Sequence, residues 1–325
     1  MTQPVPTILT NMVFWQSPLW QARTRSIFVP GDTNDGSAWK QAWTLLRRRR
    51  EADVVVTMGI RPSMAYAALC ALLRRPPKQI MMEVFIDSAQ PDSWRWRWKT
   101  AIYGYLARRA TGLITNSRRE VETTAARYRV PHARLRFVPL CATLLPETVP
   151  ARTPAYIVSA GRTLRDYPAM LELAKARPDW AVKIICGHND LKQVVLPDNV
   201  TLYREVDRTT YLDILGGATV VCLPLRPTER ATGQVVMLEA MAMGKPVVTT
   251  SSPGTVDYIR HGETGYLTNP GSMADLIQAC EGLLNNPSRR ETMGAAAQTY
   301  IRTAAAPDHY AKSALAAIAA LTANE

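Results

Sequence analysis

Ala231–Thr250 reads ATGQVVMLEAMAMGKPVVTT. Its apolar residues have the spacing of a helix over Gly233–Met243, which Gly244 ends, and Pro246 opens a strand that runs to Thr250. The stretch follows Thr219–Leu223, an apolar strand stopped by Pro224. Strand, helix and strand succeed one another with no hairpin signal, so the strands are expected to be parallel. Thr232 is expected to cap the helix, and Gly233 lets the backbone approach a ligand closely. A helix that starts after the carboxyl end of a parallel strand aims its free N–H groups and positive end into a crevice, which suits a phosphate. Glu239 follows Thr232 by two turns on about the same face, where a carboxylate can accept hydrogen bonds from two ribose hydroxyls. The plainer reading of these residues is a capped core helix with a surface Glu.

The same alternation extends in both directions. Strands are expected at Ala155–Ser159, Ala181–Cys186, Asn199–Tyr203 and Gly265–Thr268, and helices at Pro168–Arg177, Thr209–Leu215, Val256–Arg260 and Ser272–Leu284. Gly161-Arg162-Thr163-Leu164-Arg165 follows the first of these strands, and its two Arg can clamp a diphosphate. Cys186-Gly187-His188 ends another. Upstream, strands are expected at Thr7–Thr10, Ile27–Val29, Val54–Met58, Ile80–Val84, Leu113–Asn116 and Leu135–Val138. The helices between them are Trp39–Arg48, Met64–Leu73, Trp98–Arg109 and Arg118–Arg127. Cys141–Pro154 has three prolines and no periodicity, which marks a linker, and Tyr310–Leu321 is an Ala-rich final helix. The expected fold is therefore α/β, with two Rossmann-like domains over 1–145 and 155–305, a linker at 146–154 and a C-terminal crossover helix at 306–325.

The chain has 325 residues, of which 47% are hydrophobic and 20% charged, and this excludes a disordered chain. No apolar run is long enough to span a bilayer, and the first residues lack the pattern of a secretory signal. The five cysteines and four histidines are scattered, with no CxxC, and no DxD triplet occurs. A cytoplasmic protein that uses neither metal nor cofactor is expected. The net charge of +12 is confined to residues 1–150, where 22 Lys and Arg face 10 Asp and Glu; residues 151–325 carry 17 of each. Seven of the eight Trp also lie in the first half. That half is expected to meet an anionic partner.

Five pieces in order, VSAGRTLRDY, KIICG, ATVVCLP, TGQVVMLEAMAMGKPVV and HGETGYL, resemble the nucleotide-sugar-dependent, retaining glycosyltransferases of family 4. The resemblance covers about residues 155–300 and implies a GT-B fold, with two facing domains, a deep cleft and a last helix that packs back on the N-terminal domain. It makes the second half the donor domain. Arg162 and Arg165 would hold the donor diphosphate, and Thr232, Gly233 and Gln234 would offer backbone N–H groups. Glu239 would bind the ribose, while Gly187, Glu205 and Val206 would lie near the base. The family's Glu-x7-Glu pair is broken, because Ala231 stands where its first Glu is expected. The family's N-terminal glycine-rich loop is also replaced by Thr10–Trp20, TNMVFWQSPLW. In the first half, IMMEVFID (Ile80–Asp87) resembles the strand whose end faces the cleft, which makes Glu83 and Asp87 the candidates for polarising the acceptor hydroxyl. Asn116-Ser117 matches a further strand end.

Arg47, Arg48, Arg49 and Arg50 end an amphipathic helix, and Ser93–Lys99 interleaves Trp94, Arg95, Trp96, Arg97 and Trp98. Arg with Trp suits a membrane interface, and it also suits nucleic acid. A nucleotide-sugar donor favours the membrane, since a lipid-linked acceptor would lie there. The expected partners are thus a nucleotide-sugar donor, a lipid-linked saccharide or glycan acceptor and an anionic membrane surface, with no nucleic acid. The expected place is the inner face of the cell membrane. A sugar-nucleotide epimerase would not need the basic half, a phosphorylase would need a marked cofactor Lys, and a dehydrogenase would need GxGxxG after a first strand.

Overall fold

A computed structural model of the chain describes residues 6–14, 16–28, 36–85 and 93–323. The chain forms two compact units, 1–139 with 307–325, and 140–306. With these boundaries the first unit carries 23 Lys and Arg against 11 Asp and Glu, and the second carries 16 of each.

The first unit runs β1 (Ile8–Thr10), α1 (Pro18–Arg23), β2 (Thr24–Ser26), α2 (Ala38–Arg48), β3 (Val54–Met58), α3 (Ile60–Leu72), β4 (Gln79–Met82), α4 (Trp94–Arg109), β5 (Gly112–Thr115), α5 (Arg118–Tyr128) and β6 (Leu135–Phe137). The second runs β7 (Tyr156–Ala160), α6 (Tyr167–Ala176), β8 (Ala181–Cys186), β9 (Val200–Arg204), α7 (Arg208–Gly216), β10 (Val220–Leu223), α8 (Gln234–Ala242), β11 (Val247–Thr250), β12 (Tyr266–Thr268), α9 (Met273–Leu284) and α10 (Pro287–Ala304). The last helix, α11 (Pro307–Thr322), returns to the first unit, where the Ser17 hydroxyl donates to Asp308 at 2.6 Å and Tyr310 meets Phe14 edge to face.

Each unit holds a parallel sheet of six described strands, in the orders β2-β1-β3-β4-β5-β6 and β12-β11-β10-β7-β8-β9. The central strands are short apolar runs, VVVTM in β3 and VVCL in β10, because helices cover both faces of a parallel sheet. Ser37, Ser93 and Ser117 begin α2, α4 and α5, each side-chain oxygen accepting from an N–H two or three residues on. Helix α8 buries eight of its nine residues, which explains a sequence apolar on all sides.

Several boundaries differ from expectation. The strand expected at Ile27–Val29 lies earlier, as β2, because it pairs in register with β1 directly after α1; Val29 is outside the described residues. Helix α3 begins four residues before Met64, since Pro62 falls in its first turn, where proline is tolerated. Helix α4 starts at Trp94 rather than Trp98, so SWRWRWK and Arg108-Arg109 share one helix. Val256–Arg260, expected to be helical, is turns closed by the Thr255 hydroxyl on the carbonyls of Thr250 and Ser252. Helix α10 was not expected; its signals are Asn286 as cap and Pro287 at the first position. The 146–154 segment has no helix or strand but is docked on the second unit, with Val149 on the core around Met243.

Candidate functional site

The second unit has a pocket of about 490 Å³ at the carboxyl ends of β7, β8 and β9 and the first turns of α7 and α8. Gly161, Arg162, Glu205, Val206, Arg208, Tyr211, Val235 and Glu239 are among its walls. Gly161 ends β7 at φ +124°, and a Cβ there would stand 2.5 Å from the Arg165 guanidinium, so the turn admits only glycine. Glu205 follows β9 with φ +49°, a backbone conformation that non-glycine residues seldom adopt outside functional or tightly packed positions.

The polar side chains of the pocket are held in pairs. Glu239 is only 1% exposed. The Arg208 guanidinium donates to its Oε1 at 2.6 Å, the Thr143 hydroxyl to the same oxygen at 2.8 Å, and the Tyr211 hydroxyl to Oε2 at 2.6 Å. Burial, and after it Glu239, push the Tyr211 phenol well up, so it remains the donor. The hydrogen bond to Glu239 raises Arg208, which stays charged. At the pocket mouth, Arg162 Nη2 lies 2.5 Å from Glu205 Oε2, and the backbone N–H of His188 donates to Glu205 Oε1 at 2.8 Å. Gly187 adjoins both, its N–H donating to Asp190 Oδ2 at 2.9 Å. An arrangement of cations, a buried carboxylate and backbone N–H groups at strand ends can receive a polyanion together with a polyol.

The structure gathers Arg162, Glu205, Val206 and Glu239 in this pocket. Arg165 is 6% exposed and lies beneath the loop: its Nε donates to the Ala160 carbonyl at 2.7 Å and Nη1 to the Thr163 carbonyl at 3.0 Å. Burial lowers its basicity. Thr232 is not the helix cap, which is a correction. Gly233 takes that position at φ +90°, and the Thr232 hydroxyl donates to the Thr163 carbonyl at 3.1 Å, tying the two loops together. The Gln234 side chain turns inward, its Nε2 donating to Tyr258 Oη at 3.0 Å. Ala231 is half-buried. Arg208, Tyr211 and Thr143 were not expected at the site. For Arg208 the signal was present: an Asp207 cap and a cation opening a helix directly after a strand end.

In the first unit, Glu83 ends β4 at φ +54°, and Asn116 Nδ2 donates to its Oε1 at 3.3 Å, so the two expected strand ends meet. Asp87 lies outside the described residues. Trp94 and Trp98 are 68% and 66% exposed. Trp96, two positions along the same helix, is half-buried: it packs on the cluster around Tyr103 and Leu106 and lines a pocket beside Arg97 and Arg108. The run Arg47–Arg50 is divided. Arg48 pairs with Glu51 at 2.9 Å, and Arg49 and Arg50 line a separate pocket of about 250 Å³ with Asp53 and Lys78.

Residues 163–286 match the family described as glycosyl transferases group 1. An uncharacterized glycosyltransferase of Haemophilus influenzae is 32% identical over 124 residues, 35% of this chain and 33% of that protein. A phosphatidyl-myo-inositol mannosyltransferase of Mycobacterium leprae is 31% identical over 124 residues, 37% of this chain and 33% of that protein. The chain thus spans about a third of the length of these curated relatives. The crystal structure of Anabaena HepE in complex with UDP-glucose superposes with a TM-score of 0.71 at 15% identity, over 96% of this chain and 98% of that one. The fold is the two-domain GT-B fold.

Proposed function

We propose that the protein is a hexosyltransferase that moves a hexose from a nucleoside-diphosphate sugar to a lipid-linked saccharide or glycan acceptor, with retention at C1, in the synthesis of cell-surface polysaccharide or glycolipid. The observation that carries this reading is the meeting of Arg162, Glu205, Arg208 and Glu239 in one pocket at the strand ends of the unit that holds the group 1 match. The likeness to a fold crystallised with UDP-glucose supports the same class of donor.

The pairs in the pocket set the order of events. The donor diphosphate draws Arg162 away from Glu205, and the ribose hydroxyls take over hydrogen bonds on Glu239 now made by Tyr211 and Thr143. As the C1–O bond to the diphosphate breaks, charge grows on the leaving phosphate, and Arg162 with the N–H groups at Gly233 and Gln234 stabilises it. Arg165 braces the loop from below. The new C1–O bond forms to the acceptor oxygen as its O–H bond breaks, and the proton goes to the carboxylate that polarises the hydroxyl, a role assigned to Glu83, with Asp87 the alternative. Gly187, Glu205 and Val206 flank the base. No metal or cofactor is assigned a role.

No described helix is long and apolar enough to cross a membrane. The basic first unit is assigned to the cytoplasmic face of the cell membrane as a peripheral contact, with the lipid-linked acceptor at that surface and no nucleic acid partner. The test is titration of the chain with UDP, GDP, ADP and their sugars. Native protein binds one nucleoside diphosphate; Arg162→Ala and Glu239→Gln, still folded by circular dichroism, each weaken it by about tenfold or more, the loss of one charge-assisted hydrogen bond. If both folded variants bind every nucleotide as the native chain does, the assignment is wrong.

A further inference from the structure

A second pocket of about 490 Å³ lies in the first unit, between α4 and the end of α5. Arg97, Thr100, Gly104 and Arg108 of α4 meet Arg127 and Arg129 of α5 and its cap there, and no carboxylate is among the lining residues. Two of the four guanidinium groups are braced: Arg108 Nη1 donates to the Tyr128 carbonyl at 2.7 Å, and Arg127 lies 5.2 Å from the Phe85 ring centre. Arg97 and Arg129 form no carboxylate pair among the described residues. The Thr100 hydroxyl is buried and has no hydrogen-bond partner among the described residues. Four like charges around one opening repel one another, and an orphaned hydroxyl is unfavourable in its own right. An anion with several acceptor oxygens relieves both.

The same helix carries an apolar ridge beside this pocket. At 100° per residue, Trp94, Trp98, Ile102 and Tyr105 fall on one stripe, and all four are more than half exposed. Arg97 and Arg108 border the stripe on the pocket side, and Arg95 and Lys99 on the other. A row of Trp, Tyr and Ile between two rows of cations matches the layering of a bilayer surface, where rings sit at headgroup depth and cations reach the phosphates. Nucleic acid offers stacking to the Trp and Tyr rings but no apolar phase for Ile102.

We propose that the α4–α5 pocket binds the phosphate of an anionic lipid headgroup while the ridge enters the interfacial layer of the bilayer. Arg97 and Arg129 take the phosphate oxygens, and the Thr100 hydroxyl donates to one of them. This rests on the membrane reading above and names the site that would do the recognising.

The test is flotation of the full chain with phosphatidylcholine vesicles, alone and mixed with phosphatidylglycerol. The native chain partitions onto the mixed vesicles. Arg97→Ala/Arg129→Ala loses about 25-fold, the product of about fivefold for each cation close to an anionic surface. Lys175→Ala/Lys312→Ala removes the same charge from exposed helix positions elsewhere and loses far less. Equal losses in the two pairs overturn the proposal, since a general field would then suffice. It is also overturned if inorganic phosphate raises the melting temperature through Arg97 and Arg129 while vesicles do not bind, or if duplex DNA binds more tightly than mixed vesicles. Nucleoside diphosphate titration of the same samples separates the two readings. A chain that binds nucleotide but not vesicles loses this proposal together with the peripheral membrane contact it rests on and keeps the donor-site assignment; one that binds mixed vesicles equally well without Arg97 and Arg129 loses this proposal alone, and one that binds vesicles but no nucleotide loses the donor-site assignment alone.

Discussion

The two units share a scaffold of six parallel strands yet treat charge in opposite ways. In the second, cations and carboxylates are equal in number, and those at the pocket are paired: Arg162 with Glu205, and Arg208 with the buried Glu239. In the first, cations outnumber carboxylates two to one, and α4 presents them beside exposed Trp. A ligand of the second unit must displace existing partners, so it has to match them in chemistry and spacing. An anionic ligand of the first is attracted by the net positive charge before it reaches any particular pocket. The same fold therefore carries a pocket of paired charges in one unit and a cationic face in the other, and side chains at strand ends and on one outer helix make the difference.

The comparison can be broken most severely through the packing of the second unit. A Cβ on Gly294 would stand 2.0 Å from the Gly244 carbonyl oxygen, where α10 crosses the end of α8. Gly294→Ala is expected to lower stability by about 3 kcal/mol or more, read as a large drop in the melting of the second unit alone. An unchanged melt would show that α10 is not packed there. Arg208→Ala comes next. It leaves the buried Glu239 carboxylate with Tyr211 and Thr143 as its donors among the described residues, at a cost of about 2 kcal/mol. The matching Arg97→Ala in the first unit is expected to shift stability by less than about 0.5 kcal/mol, because no carboxylate among the described residues pairs with it. Equal effects in chemical denaturation would erase the contrast.

Lys245 sharpens it further. Burial holds its ammonium down to about 8, against about 10.4 for a free lysine. Below pH 8 both folded and unfolded chains hold the proton, and the native state bears the full cost of burial. Between about 8 and 10.4 the unfolded chain binds a proton that the native one has lost, so this residue's contribution to stability rises with pH. Lys245→Met should therefore melt about 3 °C above the native chain at pH 7.5, the gap closing toward pH 9.5 in differential scanning fluorimetry. The smallest effect belongs to Trp98→Ala. It should leave stability within about 0.5 kcal/mol of native while weakening vesicle binding, whereas Trp20→Ala, in the core of the same unit, costs about 3 kcal/mol. A Trp98 variant that melts early would show that the ridge is packed rather than presented.

Much of the fold was legible because its signals are local. Runs such as VVVTM, AVKIIC and VVCL, set between helical patterns, require parallel strands, and Gly161 and Gly233 mark the turns where the chain leaves them. Arg162 and Glu239 were readable from their places relative to those turns. Arg208 and Thr143 were harder, because they act through a carboxylate 31 and 96 residues away. The cap on α8 was misread because Thr232 is a good cap by type, and the competing bond to the Thr163 carbonyl comes from a loop 69 residues distant.

The sequence by itself determined the alternation of elements, the order of the strand-end motifs and the confinement of the excess positive charge to one half, since each depends on residue type, neighbours or simple counting. Only the tertiary structure decided which partners close on Glu239, that Trp96 turns inward while Trp94 and Trp98 face out, and that arginines from α4 and the end of α5 surround one pocket. The physical reason is that periodicity fixes which face of an element is apolar, whereas the partner of a polar side chain is set by where separate elements cross, and the chain folds so that buried charges such as Glu239 find theirs.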